Sequence, residues 1–472
     1  MTVEKIPFPK LMIKDDIVTH ENSEGAELID VYIDERGNFR KRPALKSTFD
    51  LGVSTGIDGL FWWTEKKVAV AVSGGRFYKL TNKSGTFEDI TGTETMQIGV
   101  PVSFTNNATH MVAANGTKMF LWAGDATNPF TVTDTDAPTT VSHVGFIDRY
   151  IVALEKGKQL FWYSAVADAT TWTSTGFGRP ESSPDDLIAL LVNNGEINLL
   201  GEKSFEFWYN DLSTPFRRIQ SATLPNGCLS PHSLVETGGS VIWMDDKRGI
   251  LQLIGRNPRV ISTLIDDKLR EISPVSDAVA FFFKWGRRAF YVINFPTDNT
   301  SWAFDLTTQI WYQWGNWDLT NAVYKEFKGK NHIYSSDWDV HLMGDANDGK
   351  IYTVDQNSFQ DGSDAIRSVI RTGHIDYGST RKKKSREIRL KVKRAAGGTT
   401  SNEPLFTIRY RDENGDWGKY RQGSLGKQGE HEYIVKFRKN GEYRTRQLEV
   451  SHGENTDFIL VGGEEEFDWL EN

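Results

Sequence analysis

Short aromatic strands return along this chain at a nearly fixed interval, and no other feature narrows its folding choices so far. They run GRFYKLT (Gly75–Thr81), TKMFLWA (Thr117–Ala123), KQLFWYS (Lys158–Ser164), KSFEFWYN (Lys203–Asn210), GILQLIG (Gly249–Gly255), TSWAFDL (Thr300–Leu306) and GKIYTVD (Gly349–Asp355). With Phe77, Phe120, Phe161, Phe205, Leu251, Trp302 and Ile351 as anchors, the separations are 43, 41, 44, 46, 51 and 49 residues. A second strand follows each anchor by about ten residues, at Phe87, Phe130, Trp172, Phe216, Val260, Trp311 and, weakly, Phe359. Two more lie ahead of each anchor, as in GLFWWTE with KVAVAVS and DAVAFFFKW with RAFYVINF.

Four short antiparallel strands repeated every 45 residues or so are the pattern of a β-propeller blade. One such sheet has two apolar faces and covers neither alone; stacked sheets cover each other, and closing the ring removes the end faces. An aromatic buried between blades contributes roughly 1.5–3 kcal/mol, which gives the aromatic content of 12% a purpose. The expectation is an all-β chain with a propeller over residues 51–362. Seven blades are counted; the last two units are longer and degenerate, which leaves six or eight open. Helix-start features occur only at DDKLREIS near Asp266 and in SPDDLIALLV, which sits where an innermost strand belongs.

The two ends differ from this middle. Residues 1–50 read as an extended entry segment, ELIDVYIDERGNFRKRPALKST, that completes the last blade and locks the ring. Residues 363–472 show strong alternation (REIRLKVKR, LFTIRYR, EYIVKF, TRQLEVS) with Asn-Gly turns, the pattern of a β-sandwich ending in an acidic tail.

Charge is divided unevenly along the chain. The net charge is −8, yet Arg367–Arg446 carries 21 Lys+Arg against 9 Asp+Glu, leaving −20 on the remainder. A basic module on an acidic body points to a partner. Its sharpest feature is Arg381, Lys382, Lys383, Lys384, Arg386, Arg389, Lys391, Lys393 and Arg394. This run reads as a protein interface, a DNA contact, or the solvated face of a strand, since Leu390 and Val392 alternate with the cations.

The single cysteine, Cys228, excludes disulfides within the chain and multi-thiolate zinc sites. No signal-peptide pattern and no window of 18 apolar residues is present, so the expectation is a soluble chain made in the cytoplasm without stable membrane insertion. GDANDG (Gly344–Gly349) resembles part of a calcium loop but lacks the downstream bidentate Glu, and reads better as a tight turn. The nine histidines form no HxxxH or HExxH, and phosphate loops and nucleophile elbows are absent. No catalytic residue, cofactor or metal site is expected.

The entry segment ELIDVYIDERGNFRKRPALK, together with FWYSAVADATTWTSTGFG and EKSFEFWYNDLSTPFRRI, resembles the packaged-DNA stabilisation proteins, or tail hubs, of short-tailed bacteriophages of enteric bacteria. The resemblance implies a structural virion protein and no enzyme. It implies a homo-hexamer attached beneath the portal and its adaptor protein after packaging, with double-stranded DNA retained in the channel without sequence-specific binding. It further implies docking surfaces for the tail needle and tailspikes, a place in the virion tail, and a stay in the host cytoplasm during assembly. An acidic lumen that repels DNA fits the −20 body. The alternative is a carbohydrate-binding or glycan-cleaving propeller of a phage tail, and a third reading is DNA binding through the basic run.

Overall fold

In a computed structural model, residues 1–14, 17–21, 25–180, 182–212, 215–393, 403–427 and 432–470 are described, with the backbone alone for 10–14 and 17–21. The fold is all-β, and its only α-helix among these residues, Asp266–Glu271, lies between blades 5 and 6. Seven four-stranded antiparallel blades form a propeller: six are separate sheets and the sixth blade is part of a nine-stranded one.

Six of the seven anchors, Phe77, Phe120, Phe161, Phe205, Leu251 and Ile351, are buried on the third strand of their blades. Trp302 is on the same strand of blade 6 but only partly buried. The second strands show how one sheet serves two neighbours. In Val68–Ser73, Val68, Val70 and Val72 pack towards blade 2, while Ala69 and Ala71 pack towards blade 7. Met111 and Ala113 against Val112 and Ala114 repeat this division in blade 2. Successive side chains of a strand point to opposite faces, so an unbroken apolar run belongs in a sheet covered on both sides. Six of the seven seams between blades are separate apolar clusters; the seam between blades 6 and 7 is continuous with the core of the C-terminal module.

Two outer strands differ from the sequence reading. In blade 3 the strand is Phe177–Gly178, while Trp172 is buried in the seam with blade 2. A Cβ on Gly178 would lie 2.3 Å from the Phe161 ring, so the pairing partner of that anchor has to be glycine. In blade 7 the outer strand does not start at Phe359. It is Ala44–Asp50, which pairs antiparallel with Lys350–Asp355, so chain residues from near the two ends of the propeller segment join to close the ring.

Other N-terminal strands belong to the sandwich, while Lys10–Lys14 and Ile17–Glu21 form a separate two-stranded sheet. Thr2–Lys5 and Phe39–Lys41 pair with Ile459–Trp469, and Val31–Ile33 pairs with Phe39–Lys41. Glu27–Ile29 joins blade 6 to the second sandwich sheet: it lies parallel to Ile310–Gln313 and antiparallel to Ser368–Arg371. Residues 1–50 are therefore woven through both modules, and hydrogen bonding does not divide the chain into three consecutive pieces.

Arg42 sits where the N-terminal segment passes from sandwich to propeller. Its guanidinium, fully buried, reaches Asp30 at 2.7 Å and Asp361 at 2.5 Å, donates to the carbonyl of Gly315 at 2.9 Å, and lies over the Phe327 ring. Asp30 holds a left-handed backbone, φ 52°, at this crossing.

Candidate docking surfaces

Most of the predicted basic run forms the strand Lys383–Lys393, set between Tyr433–Arg438 and Ile459–Trp469. Alternation decides which side chains enter the core: Ile388, Leu390 and Val392 are buried, Lys384, Arg386 and Lys391 are exposed, and Arg389 and Lys393 are half-buried. Lys383 is buried, and its Nζ donates to the carbonyls of Ser379, Arg381 and Arg444 at 2.7–2.9 Å. Burial lowers its pKa. It holds a turn together and presents no charge to a partner. Arg381 is exposed and lies over Trp469; Arg394 lies outside the described residues.

The stretch expected as an acidic tail is itself a strand, the neighbour of the basic one. Its register sets Asp468 opposite Lys384, Glu466 opposite Glu387 and Glu464 opposite Arg389. Arg386 pairs with Asp468 at 2.6 Å and Arg389 with Glu466 at 2.5 Å and Glu387 at 2.6 Å. On the other side Lys391 and Lys393 share Glu432, which their hydrogen bonds hold down to about 2. Lys382 pairs with Glu442. From Arg446 to the C-terminus the sequence adds eight acids and no Lys or Arg, so the +12 of the basic window falls to +4 for residues 367–472. What faces solvent is an alternating surface of cations and acids.

A second charged surface is assembled from residues far apart in sequence. Arg371 and Arg409 stand directly opposite Glu449 on either side of Arg446–His452. Glu449 is buried and accepts from Arg409 at 2.7 and 2.8 Å and from Arg371 at 2.6 Å, with Arg367 at 3.7 Å. Burial pushes its carboxyl up, but the hydrogen bonds of Arg409 and the charge of Arg371 hold it below its ordinary value. Trp417 lies under Arg409, Arg411 and Arg371, at 4.7, 5.0 and 5.3 Å. Tyr420 takes the other contact of Arg409, and Arg367 covers Trp317 at 4.3 Å. Trp317 belongs to a hairpin, Asn316–Asp318 with Val323–Lys325, inserted between blades 6 and 7, whose tip residue Leu319 is 83% exposed. Arginine, tryptophan and tyrosine are the residues enriched where proteins meet. The sequence signal was the alternation of Arg409 and Arg411 in LFTIRYR, but nothing local connects it to Arg367, Arg371 or Trp317.

The propeller axis is not acid-lined. Its seven innermost strands carry two acids, Asp58 and Glu236, and two lysines, Lys284 and Lys330. Asp58 and Lys330 pair with each other at 3.1 Å. Around them Phe61 stacks on Phe104 and His143 on His232. Burial pushes His143 down to about 4 and His232 down to about 3, so both rings are neutral near pH 7. GDANDG is a turn: Asp345 accepts from the backbone N–H groups of Asn347 and Asp348 and from the Tyr352 hydroxyl at 2.6 Å.

The family model described as "Bacteriophage P22 Gp10, beta-propeller" matches residues 26–359. The chain belongs to the bacteriophage P22 Gp10 beta-propeller family. It is accordingly a phage structural tail protein and a virion component. The match opens beside Glu27–Ile29 and includes the ring-closing strand, so the interlock of the two modules on the N-terminal side lies within the Gp10 family region. Among solved structures, the extracellular domain of the one-component system BT4673 from B. thetaiotaomicron is similar at 9% identity and TM-score 0.43, over 91% of this chain and 62% of that one. The mitotic checkpoint complex is similar at 11% identity and TM-score 0.42, over 68% and 94%. YCF48 bound to D1 peptide is similar at 10% identity and TM-score 0.42, over 66% and 96%. This chain thus spans less than two thirds of the first of these, and at such scores the likenesses add nothing on fold or function. No curated protein matches the chain.

Proposed function

We propose that this chain is the tail hub of a short-tailed phage. Six copies assemble below the portal-associated adaptor protein, close the DNA exit after packaging, and carry the tail needle and tailspikes. The observation behind this reading is the family match across residues 26–359. A hub under internal pressure has to resist hinging. Here one nine-stranded sheet runs from blade 6 into the sandwich, and a shared apolar core fills the seam beside it, an arrangement that transmits load. The cations of the basic strand are matched by acids of the same module, which favours contact with protein over a DNA-tracking stripe. The balanced charge of the propeller axis favours a DNA conduit formed between protomers about the hexamer axis. The role is structural and not catalytic, and assembly takes place in the host cytoplasm.

The test is electron microscopy and DNA content of particles produced with and without this chain. Particles lacking it should be without a ring below the head and should lose packaged DNA; full, stable heads would overturn the proposal. Native mass spectrometry reads the copy number, and a reducing-sugar assay on host-surface glycans should show no turnover.

A further inference from the structure

A cleft of about 420 Å³ opens where two hairpin tips meet the edge of the sandwich. One tip is the turn of the innermost hairpin of blade 6, Trp285 to Arg288, and the other is Asp34 to Asn38, between Val31–Ile33 and Phe39–Lys41. Five cations line it: Arg36, Arg40, Arg287, Arg288 and Lys393.

Their partners differ. Arg40 is taken by Asp457 at 2.6 Å and Lys393 by Glu432 at 2.6 Å. Arg287 is 84% exposed at the rim and reaches Glu35 only at 3.6 Å. Arg36 makes no ion pair among the described residues, because the neighbouring Asp34 carboxylate already accepts from the backbone N–H groups of Arg36 and Asn38 and from the Asn38 side chain. Arg288 is the decisive residue. It is 8% exposed, its Nε has no hydrogen-bond partner, and its ion contact, to Asp305, is 3.4 Å long. A charge-assisted bond normally closes to 2.7–2.9 Å. A guanidinium has five donors, and a buried donor left unmade is unfavourable. The Nε has no exposed surface, so an oxyanion entering the cleft would add partners at the end nitrogens of this guanidinium.

The shape and surroundings choose among oxyanions. Duplex DNA carries a charge every ~1.7 Å and calls for an extended basic stripe, whereas this cleft is a half-open pocket whose cations are interrupted by Asp34 and Glu35. A single carboxylate fits better, with Trp285 beside its methylene stem. The stretch that follows Lys393, residues 394–402, reads RAAGGTTSN and has no acid to offer.

We propose that this cleft captures an aspartate or glutamate side chain presented by a loop of a partner protein, with Arg36, Arg287 and Arg288 as its donors. The inference stands apart from the hub reading, since it needs only this chain and a carboxylate. Calorimetric titration of the full chain with a Gly-Glu repeat peptide at low salt tests it, beside a Gly-Gln peptide, inorganic phosphate and a short DNA duplex. The Gly-Glu peptide should bind saturably and the Gly-Gln peptide should not. Arg36→Ala with Arg287→Ala, both on exposed tips, should weaken binding at least tenfold at unchanged Tm. Arg288→Lys should weaken it as well, and Lys83→Ala on blade 1 should not. Phosphate should compete with the peptide. Absence of saturable binding would overturn the proposal, as would equal binding of the Gly-Gln peptide, wild-type affinity in the double variant, or displacement of the peptide by duplex DNA below the concentration at which phosphate acts.

Discussion

Replacing Arg42 by alanine should destabilise the chain by far more than lost side-chain area explains. The guanidinium makes five hydrogen bonds, to Asp30, twice to Asp361, and to the carbonyls of Pro43 and Gly315. All are out of water. Without Arg42 two buried carboxylates, Asp30 and Asp361, keep no cation between them. Removing one partner of a buried ion pair costs about 3–5 kcal/mol. Unfolding entropy is about 2.1 cal/mol/K per residue, roughly 1 kcal/mol/K for a chain of this length, so a single cooperative transition should fall by about 3–5 °C. The loss should also depend on pH. Burial pushes Asp30 up to about 6 even with the opposing charge of Arg42, and without that charge the value rises further. A carboxyl raised above its unfolded value of about 3.9 contributes stability that is fully present below that value and is lost as pH rises through the folded one. The deficit should therefore be deeper at pH 7.5 than at pH 5, read by scanning calorimetry and urea unfolding. Changing Arg42 to Met together with Asp30→Asn and Asp361→Asn should recover most of it. A cost under ~1 kcal/mol, or a deficit equal at both pH values, would refute the stranded-charge argument.

Phe205→Ala should lose about 3–5 kcal/mol, because Phe205 is buried in the seam of blades 4 and 5 against Phe207 and Trp243. Trp302→Ala, at the partly buried anchor, should lose only about 1–2 kcal/mol; equal urea midpoints for the two would contradict the seam picture. Burial pulls Lys41 down to about 7, with its Nζ donating to the carbonyl of Glu454 at 2.8 Å. The unfolded chain then holds a proton that the folded one has released, so stability should climb from about pH 7 towards 10, and Lys41→Met should flatten that slope in thermal scans. Deleting residues 1–50 removes the outer strand of blade 7 and leaves Lys350–Asp355 as an open edge, which invites aggregation. The truncated chain should run as a mixture of large species in size-exclusion chromatography, and a monomer with an unchanged circular dichroism spectrum would be evidence against ring closure by the N-terminus.

The propeller was readable because its evidence is local and repeated. Phe77, Phe120, Phe161 and Phe205 sit on third strands at nearly constant spacing, and VAVAVS carries in six residues the two-sided burial of a blade. The ring-closing strand was readable only as an idea about the N-terminus, with Phe359 taken for the same place. ALKSTFD is mostly exposed beyond Ala44 and Leu45, so no alternation marks it, and its partner is some 300 residues away. Glu27–Ile29 is only three residues long, and its parallel pairing with blade 6 has no local turn to announce it. The basic run was correctly seen to alternate with Leu390 and Val392, but Glu464, Glu466 and Asp468 looked like a tail because nothing in a single strand names the strand beside it. The Arg42 clamp and the cleft at Arg288 draw on segments hundreds of residues apart, and the Arg367, Arg371, Arg409 and Arg411 surface joins separate strands of the second sheet, all beyond the reach of periodicity.

Ring closure by Ala44–Asp50 also sets an order of events during synthesis. That segment leaves the ribosome roughly 300 residues before the strand it pairs with, and at about 5–20 residues per second it waits on the order of 15–60 s. Until then blades 1 to 6 form an open arc with uncovered ends. A polypeptide stopped short of residue 355 or so cannot complete the circle, so a message broken before that point yields no closed ring fit to join a particle.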